Sequence, residues 1–387
     1  MKTIPYGRQD ISQEDIQAVI AVLQSDWLTQ GPGIEQFEQK VAEYCGAKYA
    51  VAVNSATSAL HIACMAAGLG EGDILWTSPN TFVASANCGR YCGATVDFVD
   101  IDFRTYNMSI VKLEEKLVNA KREGTLPKVV IPVHFSGQSC EMEQIFELAK
   151  EYGFAVIEDA SHAIGGRYKD QKVGSCAYSE MTVFSFHPVK IVTTAEGGMV
   201  LTNNIKLYEK LIQFRSHGIT RNSELMTEEA HGPWYYQQIG LGYNYRITDI
   251  QAALGFSQMA RIDEFVTKRQ ARAEKYNKEL QGLPIILPWQ HPDTYSAYHL
   301  YVICLEENKI TKTHKQVFED LRQAGIGVNL HYIPVHTQPY YQQLGFEWGD
   351  FPVSECYYQQ AISIPMYSAM MEIDQDYVIK TLKEVLA

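Results

Sequence analysis

Through its first two thirds the chain alternates apolar β-type runs with amphipathic helical stretches, and few folds accept that alternation. The runs are Ala50–Asn54, Ile74–Ser78, Thr95–Ile101, Val129–His134, Ala155–Asp159, Met181–Phe186 and Met199–Thr202. Most are continuously apolar, the pattern of strands covered by helices on both faces. Between them Thr57–Ala67, Ser109–Arg122 and Glu141–Tyr152 carry helical periodicity. Strand–helix–strand repetition predicts an α/β fold with a mostly parallel, seven-stranded sheet.

At 387 residues the chain exceeds what one core usually holds, so a second domain is expected. We divide it into residues 1–250, a large α/β domain with an N-terminal arm, and residues 251–387. A long helical pattern, Ile247 to Leu280, links the two. It is apolar at Ile250, Ala253 and Leu254 and charged at Lys268, Arg269, Arg272, Glu274 and Lys275. Beyond it Tyr298–Leu305 reads as a strand, Lys315–Gln323 as a helix, Gly327–Tyr332 as a strand, and a last helix starts near Asp374. That mixture predicts a smaller α+β domain.

Composition excludes several classes of function. Net charge is −12 and no basic cluster tracks a phosphate backbone, so nucleic acid is not an expected partner. Met1 to Glu14 holds no apolar leader core, and no run approaches a membrane span. The eight cysteines are scattered without a CxxC pair, which suggests buried free thiols in a reducing cytoplasm rather than a metal site. Walker A, GxGxxG, HExxH and GxSxG patterns are all missing.

What chemistry the sequence holds centres on Phe184-Ser185-Phe186-His187-Pro188-Val189-Lys190, running on to Thr193-Thr194-Ala195-Glu196-Gly197-Gly198. Lys190 falls on a loop between two buried strands, where an amine loses its proton readily enough to be a nucleophile. Taken alone it could equally snorkel to solvent. Asp159 closes the run Phe154–Asp159, and ligands of open α/β sheets gather at strand carboxyl ends. It could hold a pyridinium nitrogen protonated or cap the next helix. Asn54-Ser55-Ala56-Thr57-Ser58 joins a strand to a helix, offering either a phosphate cradle or ordinary capping. Ser185 adds a hydroxyl at a strand end. Lysine, aspartate and anion site together favour pyridoxal phosphate.

In order and spacing, Leu28-Thr29-Gln30-Gly31, Asn54–Thr57, Ile157-Glu158-Asp159, Ser185-Phe186-His187 with Lys190, Ala195–Gly198 and His331-Tyr332 resemble the DegT/DnrJ/EryC1/StrS sugar aminotransferases over nearly the whole chain. The resemblance implies the fold-type-I architecture of pyridoxal-phosphate enzymes, with residues 1–250 holding the cofactor. It implies that Lys190 is the Schiff-base lysine and Asp159 the pyridinium partner. Ser185, Ala56 and Thr57 become phosphate ligands, Phe82 stacks on the ring and His162 lies close to it. Asn244 reaches the phosphate of a neighbouring subunit, which makes a homodimer part of the site. Tyr6, Thr29, His331 and Tyr332 are implied sugar-nucleotide contacts.

Within the family, Asn54–Leu60, Thr193–Gly198 and Phe214–Gly218 look most like the enzymes of pseudaminic-acid biosynthesis. Those move the amino group of L-glutamate to C4 of UDP-2-acetamido-2,6-dideoxy-β-L-arabino-hexos-4-ulose. Another UDP- or dTDP-linked 4-keto sugar is the alternative substrate. A sugar dehydratase on the same fold is the alternative reaction, but those relatives have histidine where Lys190 stands.

Overall fold

The seven apolar runs form one sheet in a computed structural model that describes residues 3–387. Its strands are β1 (Tyr49–Val53), β2 (Ile74–Thr77), β3 (Thr95–Phe98), β4 (Val129–Ile131), β5 (Ala155–Asp159), β6 (Met181–Ser185) and β7 (Gly198–Thr202). Their spatial order is β1-β7-β6-β5-β4-β2-β3. From β6 through β5, β4 and β2 to β3 all neighbours are parallel, whereas β7 runs antiparallel to both β1 and β6. The carboxyl ends of β1, β5 and β6 therefore meet the amino end of β7 at one edge.

Continuous apolarity in β6 and β7 is explained by their position, since every residue of both is buried. Val53, Leu60, Ile157 and Val183 share one core, while Phe37, Val41, Phe184, Phe186 and Met199 share another. Burying a side chain of this size stabilises the fold by about 1.5–3 kcal/mol. Two expected strands stop early. The run after Ile131 meets Pro132, which has no N–H for the ladder. After Phe98 the carboxylates take over, with Asp97 accepting from the Phe98 amide and Asp100 from that of Ile101.

The helix expected from Ile247 to Leu280 is two helices, Asp249–Met259 and Ile262–Glu279. At the break Arg261 turns its guanidinium to Asp10 at 3.1 Å and Asp15 at 2.6 Å. Beyond it Ile285–Ile286, Tyr301–Leu305 and Ala361–Ile364 make a three-stranded antiparallel sheet. Helices His314–Gln323 and Glu372–Leu386 pack around it, and Tyr276, Tyr301, Ile303, Val317, Ile362 and Leu382 fill the core. Ile4 joins that core from the other end of the chain, bridging to Ile326.

The expected strand Gly327–Tyr332 does not form. Its backbone meets the sheet in one bridge, Asn329 to Ser363. Its polar members find partners elsewhere, the Tyr332 amide donating to Asn80 Oδ1 at 3.2 Å. All eight cysteines are free thiols; six are buried, Cys92 is half-buried and Cys356 is exposed. Among the described residues no helix is long and apolar enough to cross a membrane.

Candidate active site

A cavity of about 530 Å³ opens where those strand ends meet. Strand alternation decides which carboxylate enters it. Asp159 lines the cavity, while its neighbour Glu158 turns to the opposite face, bonded by His134 at 2.6 Å and Thr182 at 2.9 Å. Burial alone would raise the pKa of Glu158, but the donated bonds of His134, Ser179 and Thr182 hold it below the ordinary value. Asp159 Oδ2 accepts from Ser85 Oγ at 2.6 Å, and Oδ1 accepts from the Ser161 amide at 3.1 Å. Ser85 is itself held by Thr81 at 2.8 Å. The carboxylate is thereby fixed in orientation at the end of β5.

Lys190 is carried on the 186–197 segment between β6 and β7, pinned at both ends. The Phe186 amide donates to Gly197 O and the Thr194 amide to Phe186 O, at 2.9 and 3.0 Å. The side chain keeps some surface in the cavity, yet its amine is poorly hydrated. That burial lowers its pKa to about 8, against the opposing attraction of Asp159.

An anion cradle faces them. Ser55 caps the helix Ala56–Ala66 by accepting from the Ser58 amide, and Ser58 Oγ donates to Asn54 Oδ1. The amides of Ala56 and Thr57, at the first two helical positions, have no partner among the described residues. The Ser185 hydroxyl, also lining the cavity, has none either. Gly198 pairs with Val53 on one side and Ser185 on the other. A Cβ there would lie 2.5 Å from the Ser55 carbonyl carbon and 2.6 Å from the Ala56 nitrogen. Gly198→Ala is therefore expected to push the helix start aside, costing about 1–3 kcal/mol of stability. Thermal unfolding and phosphate-ester binding should both weaken, and unchanged binding would remove the cradle from its role.

Much of the remaining wall is aromatic, formed by Tyr6, Phe82, His162, His299, His331 and Tyr332. His162 Nδ1 is 3.3 Å from the Ser136 amide and its Nε2 is 3.0 Å from the Tyr332 hydroxyl. His331 Nδ1 meets Ser363 Oγ at 2.8 Å, and its ring packs against Tyr6 at 5.3 Å. Burial first, and the charge of Lys190 second, lower the His331 pKa to about 3 and put that of His162 well below the usual range. Burial raises the phenols of Tyr6 and Tyr332.

Of the residues expected at a site, Tyr6, Ala56, Thr57, Phe82, Asp159, His162, Ser185, Lys190, His331 and Tyr332 all line this cavity. Phe82 stands at 58% exposure, an aromatic face left open beside it. Thr29 and Asn244 do not line it. Both are exposed, Thr29 bridging Thr248 and Asn244 bridging Ser216. Sequence reading missed Ser85, Asn80, His299 and Asn329. Ser85 reaches Asp159 across a separation of 74 residues, and nothing in a linear pattern marks such a pair.

These residues fit pyridoxal phosphate. A depressed-pKa lysine, an oriented carboxylate, unpaired helix-start amides with a free hydroxyl, and the apolar walls of Leu60, Ala84 and Val133 share one cavity. The sequence profile of the DegT/DnrJ/EryC1/StrS aminotransferase family matches residues 9–383. The Bacillus subtilis spore coat polysaccharide biosynthesis protein SpsC is 40% identical, over 99% of this chain and 97% of its own. A Campylobacter jejuni UDP-4-amino-4,6-dideoxy-N-acetyl-beta-L-altrosamine transaminase is 39% identical over the same shares of the two chains. Helicobacter pylori PseC, an aminotransferase involved in the biosynthesis of pseudoaminic acid, superposes with a TM-score of 0.90. It is 32% identical and covers 100% of this chain and 99% of its own. With cavity, fold and sequence in agreement along the whole length, this chain belongs to the DegT/DnrJ/EryC1/StrS family of pyridoxal-phosphate-dependent sugar aminotransferases.

Proposed function

We propose that the enzyme moves the amino group of L-glutamate to C4 of a UDP-linked 4-keto-6-deoxy sugar, UDP-2-acetamido-2,6-dideoxy-β-L-arabino-hexos-4-ulose. The observation that carries the reading is the Lys190 amine, partly desolvated and placed in one cavity with Asp159 and an open anion cradle. The altrosamine transaminases among the relatives support the choice of sugar. Exposed Trp27, Leu28, Trp234 and Leu241 support a homodimer, and exposed Asn244 is free to serve a second copy.

When bound, pyridoxal phosphate supplies a carbonyl that takes up the amino group and a ring that accepts the electron pair from Cα. The chain does the rest. Ala56 and Thr57 amides with the Ser185 hydroxyl hold the phosphate at the positive end of a helix. Asp159 would keep the ring nitrogen protonated, and Phe82 would offer its aromatic face to the ring. Lys190 removes the proton from Cα of glutamate and later delivers one to C4 of the sugar. Tyr6, His331 and Tyr332 contact the sugar nucleotide. The dehydratase reading lacks support, because His187 is exposed at the rim, 3.9 Å from Glu196, while the lysine is retained.

The test is colour. Glutamate should bleach the yellow holoenzyme, and after desalting the UDP-linked β-L-arabino-4-ulose should restore the colour. Restoration by a different UDP- or dTDP-linked 4-keto sugar would keep the reaction and replace the substrate.

A further inference from the structure

Tyr332 ends a hydrogen-bond chain whose direction can be assigned atom by atom. The Ser136 backbone N–H points at His162 Nδ1. A backbone amide only donates, so Nδ1 is the accepting nitrogen and neutral His162 carries its proton on Nε2. That Nε2–H donates to the Tyr332 oxygen at 3.0 Å. The single phenolic proton must then point elsewhere, and Tyr332 lines the cavity with no other hydroxyl partner among the described residues.

The hydroxyl is also held still. Its ring lies nearly parallel to that of His162, 6.1 Å apart at 17°, with the edge-on ring of Phe135 at 6.3 Å. Asn80 Oδ1 accepts from the Tyr332 amide, and the Tyr357 hydroxyl donates to the His331 carbonyl at 2.6 Å. Such a donor is already oriented when the reaction begins, and no reorganisation is needed to use it.

We propose that Tyr332 is a further catalytic residue, the hydrogen-bond donor to the carbonyl oxygen of the keto partner, with His162 as the residue that positions it. The inference rests on the aminotransferase reading above. As the amino nitrogen bonds to the carbonyl carbon, the carbon–oxygen π pair moves onto oxygen. That oxygen leaves as water, its two protons drawn from the attacking amine. Negative charge builds on the oxygen before the first proton arrives, and there a fixed neutral donor acts. The sugar's C4 oxygen and the keto oxygen of 2-oxoglutarate pass through the same place, so one donor serves both halves.

The experiment loads holoenzyme with L-glutamate, desalts it, and follows recolouring by 2-oxoglutarate, whose use does not depend on which sugar is correct. Tyr332→Phe keeps the ring and removes only the hydroxyl. Its saturating rate should fall about 10²- to 10³-fold. The half-saturating concentration should stay within about threefold, as for an interaction made only in the transition state. An unchanged saturating rate, or a change confined to half-saturation, would overturn the proposal. Independently, nitrogen NMR of the histidine-labelled apoenzyme should find His162 protonated on Nε2, and protonation on Nδ1 would overturn the relay. Failure of glutamate to bleach the wild type would count against the aminotransferase reading instead, with the nitrogen spectrum still deciding the relay.

Discussion

Lys190→Ala should cost about 10³-fold or more in turnover, because in the proposed function one side chain serves as both nucleophile and base. With a pKa of about 8, roughly a tenth of the amines are free at pH 7, against about one in three thousand at the ordinary 10.5. Burial sustains that fraction, and the nearby Asp159 limits it. The stability consequence has the opposite sense from a salt bridge. Between pH 8 and 10.5 the unfolded lysine binds a proton that the folded one has lost, so Lys190 adds stability as pH rises through that window. Cofactor-free wild type should therefore gain on Lys190→Ala in thermal unfolding over those pH values. Borohydride should fix cofactor to the Lys190 peptide of the wild type and leave the mutant unlabelled. A mutant with full activity would end the assignment.

Asp159→Asn should lose roughly 10²- to 10³-fold in turnover, the range for removing one preorganised electrostatic group. The substitution keeps the shape of the side chain and removes the charge proposed to hold a ring proton. The Ser161 amide can still donate to the Asn oxygen while the Ser85 hydroxyl turns to accept from the Asn NH2, so the fold should survive with its melting temperature little changed. The loss should appear in the rate at which glutamate bleaches the enzyme, since that step draws electrons from Cα. Asp159→Ala should be worse, leaving the Ser161 amide without its acceptor and Ser85 with Thr81 alone. A bleaching rate near that of wild type in Asp159→Asn would take Asp159 out of its proposed role.

How much of this was legible in the sequence depended on distance along the chain. Local patterns located all seven strands, because an apolar run bounded by turns is self-contained information. The placement of Asp159 and Ala56–Thr57 was legible for the same reason, each lying at an end of such a run, and that of Lys190 because its loop joins two of them. What the sequence concealed was contact between distant segments. The alternation of Gly327–Tyr332 looks like a strand, but Asn80 and Tyr357 capture it from outside the sheet. The helical period from Ile247 onwards runs through Arg261 without a signal, because the cause of the break is a pair of aspartates near the other end of the chain. Thr29 and Asn244 carry motif positions, yet one copy of the chain leaves both outside the cavity.

Ile4 bonds on both sides to the segment at Gly325 and Gly327, two residues before Tyr6 enters the cavity wall. During synthesis the fourth residue must therefore wait for the 326th. The large sheet, complete at Thr202, can condense before the last third of the chain is made, but this part of the wall closes only once residues 325–327 have emerged. A nascent chain stalled near residue 300 would hold its lysine, its aspartate and its anion cradle, and still have nowhere to seat a sugar.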